Sequence, residues 1–282
     1  MIKLALIGYP LSHSYSQIIH EAAFKTLGIE GTYEILETKP EDLVDRIKYL
    51  KTNDYKGFNV TIPHKVPVTI FLNDVDDLTQ CAGSSNTIKI NEDKTLSGFN
   101  TDIYGFKAAI PKSFLPELKN SKVAIMGAGG ASRACVVAFA QLGVKQIDFY
   151  VRNILNARKS IEFFREQFKN IHFNVIQNQL LTDLSSYKMV VNATPLGMKN
   201  YAMDMTPIDN PVVRTMDKSA ILYDLVYNPM KTNLIKNAEY HHIPTISGID
   251  MLIYQAQKAF EIWTGQLPEF KDLKIALLEK LI

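Results

Sequence analysis

Four residues constrain this chain more than any others. Gly127-Ala128-Gly129-Gly130 lies between an apolar, strand-like run, Lys122 to Met126, and a helical stretch, Ala131 to Leu142. On that helix Ala131, Ala134, Cys135 and Ala138 share one face, and their small side chains let it lie close to a sheet. A strand, a glycine turn and a helix in this order are the setting that a dinucleotide pyrophosphate requires. The first glycine makes the tight turn and the second lets backbone approach the phosphates. The helix N-terminus offers free N–H groups and the positive end of its dipole. Gly127, Gly129, Gly130 and Ala131 are therefore the candidate cofactor residues. Ser132 stands where the usual pattern has its third glycine, so Ala131 and Ala134 are expected to supply the close helix packing.

The next strand of this unit ends at Tyr150-Val151-Arg152-Asn153. An acidic residue there would accept the ribose hydroxyls of NAD. Arg152, with Arg158 beyond it, suits a 2′-phosphate instead, which favours NADP. The competing reading of Arg152 is a solvated surface arginine.

Short apolar runs alternate with longer amphipathic ones along the whole chain, the pattern of an α/β protein. Its 282 residues favour two domains. The glycine turn sits in a Rossmann-type, doubly wound unit expected over 104–243. Residues 1–103 form a separate α/β substrate domain, and 244–282, too short to stand alone, are expected to pack back on it. Strands are expected near 2–7, 31–36, 56–61, 86–91 and 95–99, with helices near 15–27, 40–51 and 64–71. Thr38-Lys39-Pro40-Glu41 reads as a capping box with proline in the first turn.

Composition narrows the function classes. The net charge of +2 has no clustered basic stripe behind it, which argues against a nucleic-acid or membrane-surface partner. No run of about 18 apolar residues exists to span a bilayer. The first strand lacks the pattern of a signal peptide. The two cysteines, Cys81 and Cys135, are too sparse for a disulfide framework. The default expectation is a cytoplasmic enzyme, monomer or homodimer, acting on a small molecule. Among the histidines, His13, His20, His64, His241 and His242 show no metal-binding spacing, so no metal site is expected.

Two charged residues stand just past apolar strands: Lys65, after Phe58-Asn59-Val60-Thr61-Ile62-Pro63-His64, and Asp102, after Gly98-Phe99-Asn100-Thr101. Ligands of α/β sheets bind at such strand ends, so the two are candidates for a catalytic dyad. Each alone would read as half of a surface ion pair. Ser12-His13-Ser14-Tyr15-Ser16 follows the first strand, and its hydroxyls either grip a carboxylate or cap the helix that begins there.

These pieces, taken in order, resemble the shikimate dehydrogenase family over nearly the whole length. The matching motifs are Ser14-Tyr15-Ser16, Asn59-Val60-Thr61-Ile62-Pro63-His64-Lys65, Ser85-Asn86-Thr87, Gly98-Phe99-Asn100-Thr101-Asp102, Gly127-Ala128-Gly129-Gly130, Asn192-Ala193-Thr194-Pro195-Leu196-Gly197-Met198, Asp224-Leu225-Val226-Tyr227-Asn228-Pro229 and Gly248-Ile249-Asp250-Met251-Leu252-Ile253-Tyr254-Gln255-Ala256. The resemblance implies that Ser14 and Ser16 hold a substrate carboxylate. Thr61, Asn86 and Gln255 would bind its ring hydroxyls, with Tyr227 nearby, and Lys65 and Asp102 would be the catalytic pair. Asn192, Thr194, Gly248 and Met251 would line the cofactor.

The sequence departs from the family in places. Gln17 replaces the proline that usually follows the paired serines. Val151-Arg152-Asn153 replaces the family's Asn-Arg-Thr, so the NADP preference rests mainly on Arg152. The reaction implied is reversible, NADPH-dependent reduction of 3-dehydroshikimate to shikimate in aromatic amino acid biosynthesis. Lys65 is preferred as the proton-transfer group, with Asp102 as the alternative. Competing readings are a family member that also takes quinate or NAD, a dinucleotide-sensing regulator without turnover, and a folate-type dehydrogenase, which would lack the paired serines.

Overall fold

The computed structural model describes residues 1–11, 14–199 and 201–281. They form two compact units, one of residues 1–105 and 252–282, the other of 106–251.

The first unit is built on six strands: β1 (Ile2–Gly8), β2 (Gly31–Glu37), β3 (Tyr55–Val60), β4 (Asp74–Val75), β5 (Thr87–Ile90) and β6 (Leu96–Phe99). Their order across the sheet is β2-β1-β3-β5-β6-β4. β1 is parallel to β2 and β3, and its Leu4 to Ile7 run is buried, as expected for a strand covered on both faces. β5 runs antiparallel to both β3 and β6. The start of β5 therefore lies level with the ends of β3 and β6. That one reversal gathers the site described below.

The second unit carries β7 (Lys122–Met126), β8 (Gln146–Val151), β9 (His172–Gln177), β10 (Met189–Asn192), β11 (Ile221–Asp224) and β12 (Thr245–Ser247). All pairings are parallel, in the order β12-β11-β10-β7-β8-β9. This is the doubly wound dinucleotide-binding order, and its switch point falls between β7 and β10. Val123 to Met126 are fully buried. On the helix Gly130–Gln141, Ala134, Cys135 and Ala138 are buried as the small-residue face requires.

Several local expectations differ from the structure. The capping box does not form. Thr38 Oγ1 donates to the Leu36 carbonyl at 2.8 Å and accepts from Arg46 Nε at 3.1 Å. Residues Pro40–Asp42 make only a 3₁₀ turn before the helix Leu43–Thr52. The helix expected near 64–71 is a 3₁₀ turn over Pro67–Phe71, because Pro67 has no N–H for a longer ladder. A helix over Thr101–Ala109 was not expected. The second unit also extends to Met251 rather than 243, since β12 pairs with β11. The closing helix Gly248–Thr264 thus starts in the second unit and continues into the first. Among the described residues no helix is long and apolar enough to cross a membrane.

Candidate active site

In the first unit three neighbouring strand ends supply the site. Lys65 follows the end of β3, Asn86 precedes the start of β5, and Asp102 follows the end of β6. Backbone bonds hold these segments in place: Val60 N–H donates to the Asn86 carbonyl at 2.8 Å, Asn86 N–H to Phe99 at 3.1 Å, and Ser85 N–H to Lys65 at 2.8 Å. Lys65 Nζ lies 2.6 Å from Asp102 Oδ2, with the two side chains 16% and 7% exposed. Such a partly desolvated, charge-assisted bond is stronger than a surface ion pair.

The other carboxylate oxygen, Oδ1, accepts from Asn86 Nδ2 at 2.9 Å. The same amide nitrogen faces Thr101 Oγ1 at 2.9 Å and Gln255 Oε1 at 3.2 Å. Asn86 Oδ1 accepts the Thr101 N–H at 2.7 Å, satisfying one of the orphan donors of the Thr101–Ala109 helix. Lys65, Asp102, Asn86 and Gln255 thus come together in one buried cluster. Thr101, which no sequence motif marks as a site residue, belongs to it as well.

Beneath that cluster runs a second row. Asn59 Nδ2 donates to the Asn86 carbonyl and to Thr87 Oγ1, both at 3.0 Å. The Tyr33 hydroxyl donates to Asn59 Oδ1 at 2.7 Å and also interacts with Ser16. Asn59 is an amide between the buried, apolar Phe58 and Val60, the one sequence signal that marks this row. Ser14 Oγ accepts the Ser16 N–H at 3.2 Å. Tyr15, the residue before the helix Ser16–Thr26, makes no side-chain cap. Ser12 and His13 lie outside the described residues. Thr61, half-buried, is fixed through its N–H to the Ile7 carbonyl at 2.9 Å. His64 is buried with Nε2 at 2.7 Å from the Thr38 carbonyl, a structural role.

In the second unit the glycine turn closes β7. Gly127 has φ +92°, and an added Cβ would come within 2.9 Å of Thr194 Cγ2, so glycine is required there on both counts. Gly129 is exposed with open space around it, and the helix begins at Gly130. Ser132 accounts for the missing third glycine: it is buried and its hydroxyl donates to the Gly129 carbonyl at 2.7 Å, tying the turn to the helix. An open glycine backbone leading into a helix N-terminus fits a pyrophosphate. Arg152 is exposed at the same end of β8, two residues past Tyr150, which pairs with Met126. A guanidinium in that place fits a 2′-phosphate.

Asn192 ends β10 beside Met126 and is fully buried. Its Oδ1 accepts from Thr194 N at 3.0 Å and from Thr194 Oγ1 at 2.6 Å. Its Nδ2 donates to Asp224 Oδ1 at 2.9 Å and to the Leu196 carbonyl at 3.3 Å. Asn192 therefore shapes its loop through bonds that use its whole amide. Gly248 and Met251 are both buried in this unit. Tyr227 also belongs to this unit, half-buried on the loop after β11. Burial pushes the Asp224 carboxyl up to about 6, against the opposing bonds from Thr232, Val226 and Asn192.

Fold and site together define an oxidoreductase of the two-unit, dinucleotide-dependent class. Residues 6–88 match the model of a shikimate dehydrogenase substrate binding domain, and residues 248–277 match that of a shikimate 5′-dehydrogenase C-terminal domain. The chain is 37% identical over 281 residues to a shikimate dehydrogenase (NADP(+)) of Methanococcus maripaludis, covering 99% of this chain and 97% of that one. A shikimate 5-dehydrogenase of Thermus thermophilus, solved with NADP(H) and shikimate, superposes with TM-score 0.84 at 29% identity, covering 99% of each chain. A quinate dehydrogenase of Corynebacterium glutamicum, solved with NAD, superposes with TM-score 0.88 at 28% identity, again over 99% of each. The chain belongs to the shikimate dehydrogenase family.

Proposed function

We propose that this chain reduces 3-dehydroshikimate to shikimate, reversibly and with NADPH, in aromatic amino acid biosynthesis. The observation that carries this reading is the Lys65–Asp102 pair, held from the far side by Asn86. Family membership supplies the substrate class.

When bound, NADPH supplies the hydride that reaches the ketone carbon. The chain's residues manage the oxygen. Lys65 Nζ holds a proton at the ketone oxygen as negative charge develops there, and transfers it so that the product is an alcohol. Asp102 holds the ammonium in place through its 2.6 Å contact, and Asn86 holds Asp102. Asn86 and Gln255 share the wall of the cluster, and their amides, with Thr61, bind the ring hydroxyls; Tyr227, in the second unit, is read as a further substrate residue. Ser14 and Ser16 take the carboxylate. On the cofactor side Gly127, Gly129, Gly130 and Ala131 cradle the pyrophosphate, and Arg152 takes the 2′-phosphate. Asn192, Thr194, Gly248 and Met251 complete that loop cluster. Residues 1–103 with the C-terminal helices act as the substrate domain, and the rest as the NADP domain. The enzyme works in the cytoplasm as a monomer or homodimer, without a nucleic-acid partner.

A second reading, a shikimate dehydrogenase of broader taste that also accepts quinate or NAD, is consistent with the likeness to the Corynebacterium glutamicum structure, which supports it no better than the first. One experiment separates the two: initial rates of the purified chain with shikimate and quinate, each with NADP and NAD, followed by absorbance of the reduced nicotinamide. Turnover of shikimate with NADP above the other three combinations supports the first reading. Preference for quinate with NAD replaces it, and no turnover with any pair refutes both.

A further inference from the structure

We propose that Asp224 is a positioning residue for cofactor binding, a buried carboxylate that fixes the loops around the glycine turn without itself touching the dinucleotide. The inference rests on reading this loop cluster as the NADPH site.

Asp224 ends β11 and pairs in register with Asn192 at the end of β10. It is fully buried. Its Oδ1 accepts from Asn192 Nδ2 at 2.9 Å and from the Val226 N–H at 3.1 Å, and its Oδ2 accepts from Thr232 Oγ1 at 2.6 Å. Three segments therefore meet on one carboxylate. The first is the loop after β10, where Asn192 fixes Thr194, whose methyl packs against the place a Gly127 Cβ would fill. The second is the loop after β11, where the Leu225 carbonyl leaves no room for a Cβ at Gly248 and the Val226 carbonyl accepts the Gly248 N–H at 3.3 Å. The third is Thr232, which caps the helix Asn233–Tyr240 by accepting the Ile235 N–H at 3.2 Å. Every one of Gly127, Asn192, Thr194 and Gly248 is thus linked to Asp224 directly or through a short chain of contacts. Burial alone disfavours the carboxylate, and its three hydrogen bonds offset that cost while tying the segments together.

The hydrogen bonds, rather than the charge, carry the effect. In Asp224→Asn the amide oxygen keeps the bonds from Asn192 and Val226, and the amide nitrogen donates to Thr232 Oγ1 once that hydroxyl turns. Asp224→Ala loses all three. The test is the dissociation constant of NADPH, by nicotinamide fluorescence, for the full chain and these two variants, with shikimate KM and kcat at saturating NADP. The expected result is at least tenfold weaker NADPH binding for Asp224→Ala, with shikimate KM and kcat within threefold of the parent, and Asp224→Asn within threefold throughout. NADPH binding within twofold of the parent in Asp224→Ala overturns the proposal, as does equal weakening in both variants. Should Asp224→Ala fail to fold, Thr232→Val, which removes one arm, is read instead: weakening of threefold or more supports the role, and less than that refutes it. If the parent chain itself binds no NADPH, the reading of the cofactor site fails first, a distinct outcome.

Discussion

Asn86 Nδ2 stands 2.9 Å from Asp102 Oδ1, on the carboxylate oxygen that Lys65 leaves open. The Asp102 carboxylate is thereby held from both sides, and its orientation toward the ammonium does not depend on a bound ligand. Removing Asn86 frees that oxygen and opens a buried gap between Thr101 and Gln255.

Asn86→Ala is therefore expected to lower kcat/KM for shikimate by about 10- to 100-fold, the effect of losing a hydrogen bond to a charged group, roughly 1.5–3 kcal/mol. The loss should appear in both kcat and KM, because the proposed function has the amide serve substrate and dyad together. Steady-state kinetics at saturating NADP reads this. A change confined to KM would mean that Asn86 binds substrate without orienting Asp102.

Arg152 is the exposed basic group just past the end of β8, to which the proposed function gives the 2′-phosphate. Arg152→Ala should raise the KM for NADP by about 10- to 100-fold, as expected for loss of a guanidinium–phosphate pair. The KM for NAD should move less than threefold. Equal effects on both cofactors would show that Arg152 does not read the 2′-phosphate.

His20 is expected to make the first unit acid-sensitive. It is fully buried, stacked on Tyr33 with ring centroids 4.3 Å apart, neither ring nitrogen has a hydrogen-bond partner among the described residues, and burial lowers its pKa to about 3 from the ordinary 6.5. The unfolded chain takes up this proton below about pH 6.5 while the folded one does not. The stability given by a neutral His20 is fully present above that pH and declines as pH falls toward 3, by about 1.4 kcal/mol per unit. His20→Leu removes the titrating ring and should shift the acid-unfolding midpoint downward by about one pH unit. Trp263, the only tryptophan, lies 5.5 Å from His20 in this unit and reports the transition by fluorescence. An unchanged midpoint would show that other groups govern acid unfolding.

Much of the site was legible in the sequence because its residues follow apolar strands within short motifs. Lys65 and Asp102 each stand a few residues past a buried run, and the antiparallel β5 between those two strands brings their ends level with its own start. What sequence did not reveal has physical causes. The Thr101–Ala109 helix is buried at Thr101, Asp102, Ile103, Gly105 and Phe106, so it shows no polar face and no 3.6-residue period. β4 has two residues, too few for alternation. Tyr33 and Asn59 meet across 26 residues, and Asp224 and Asn192 across 32, through parallel pairing that no local pattern encodes. The unit boundary at 251 rather than 243 followed from the three-residue β12, whose partner lies in β11.

In the proposed reaction Lys65 carries the proton. The most direct measurement is turnover of Lys65→Met with shikimate and NADP, together with the shikimate dissociation constant. General acid–base loss costs about 10²- to 10⁴-fold, so kcat should fall by that amount while shikimate still binds. Turnover within about tenfold of the parent, with binding weakened instead, would contradict the account and leave Lys65 as a binding residue only.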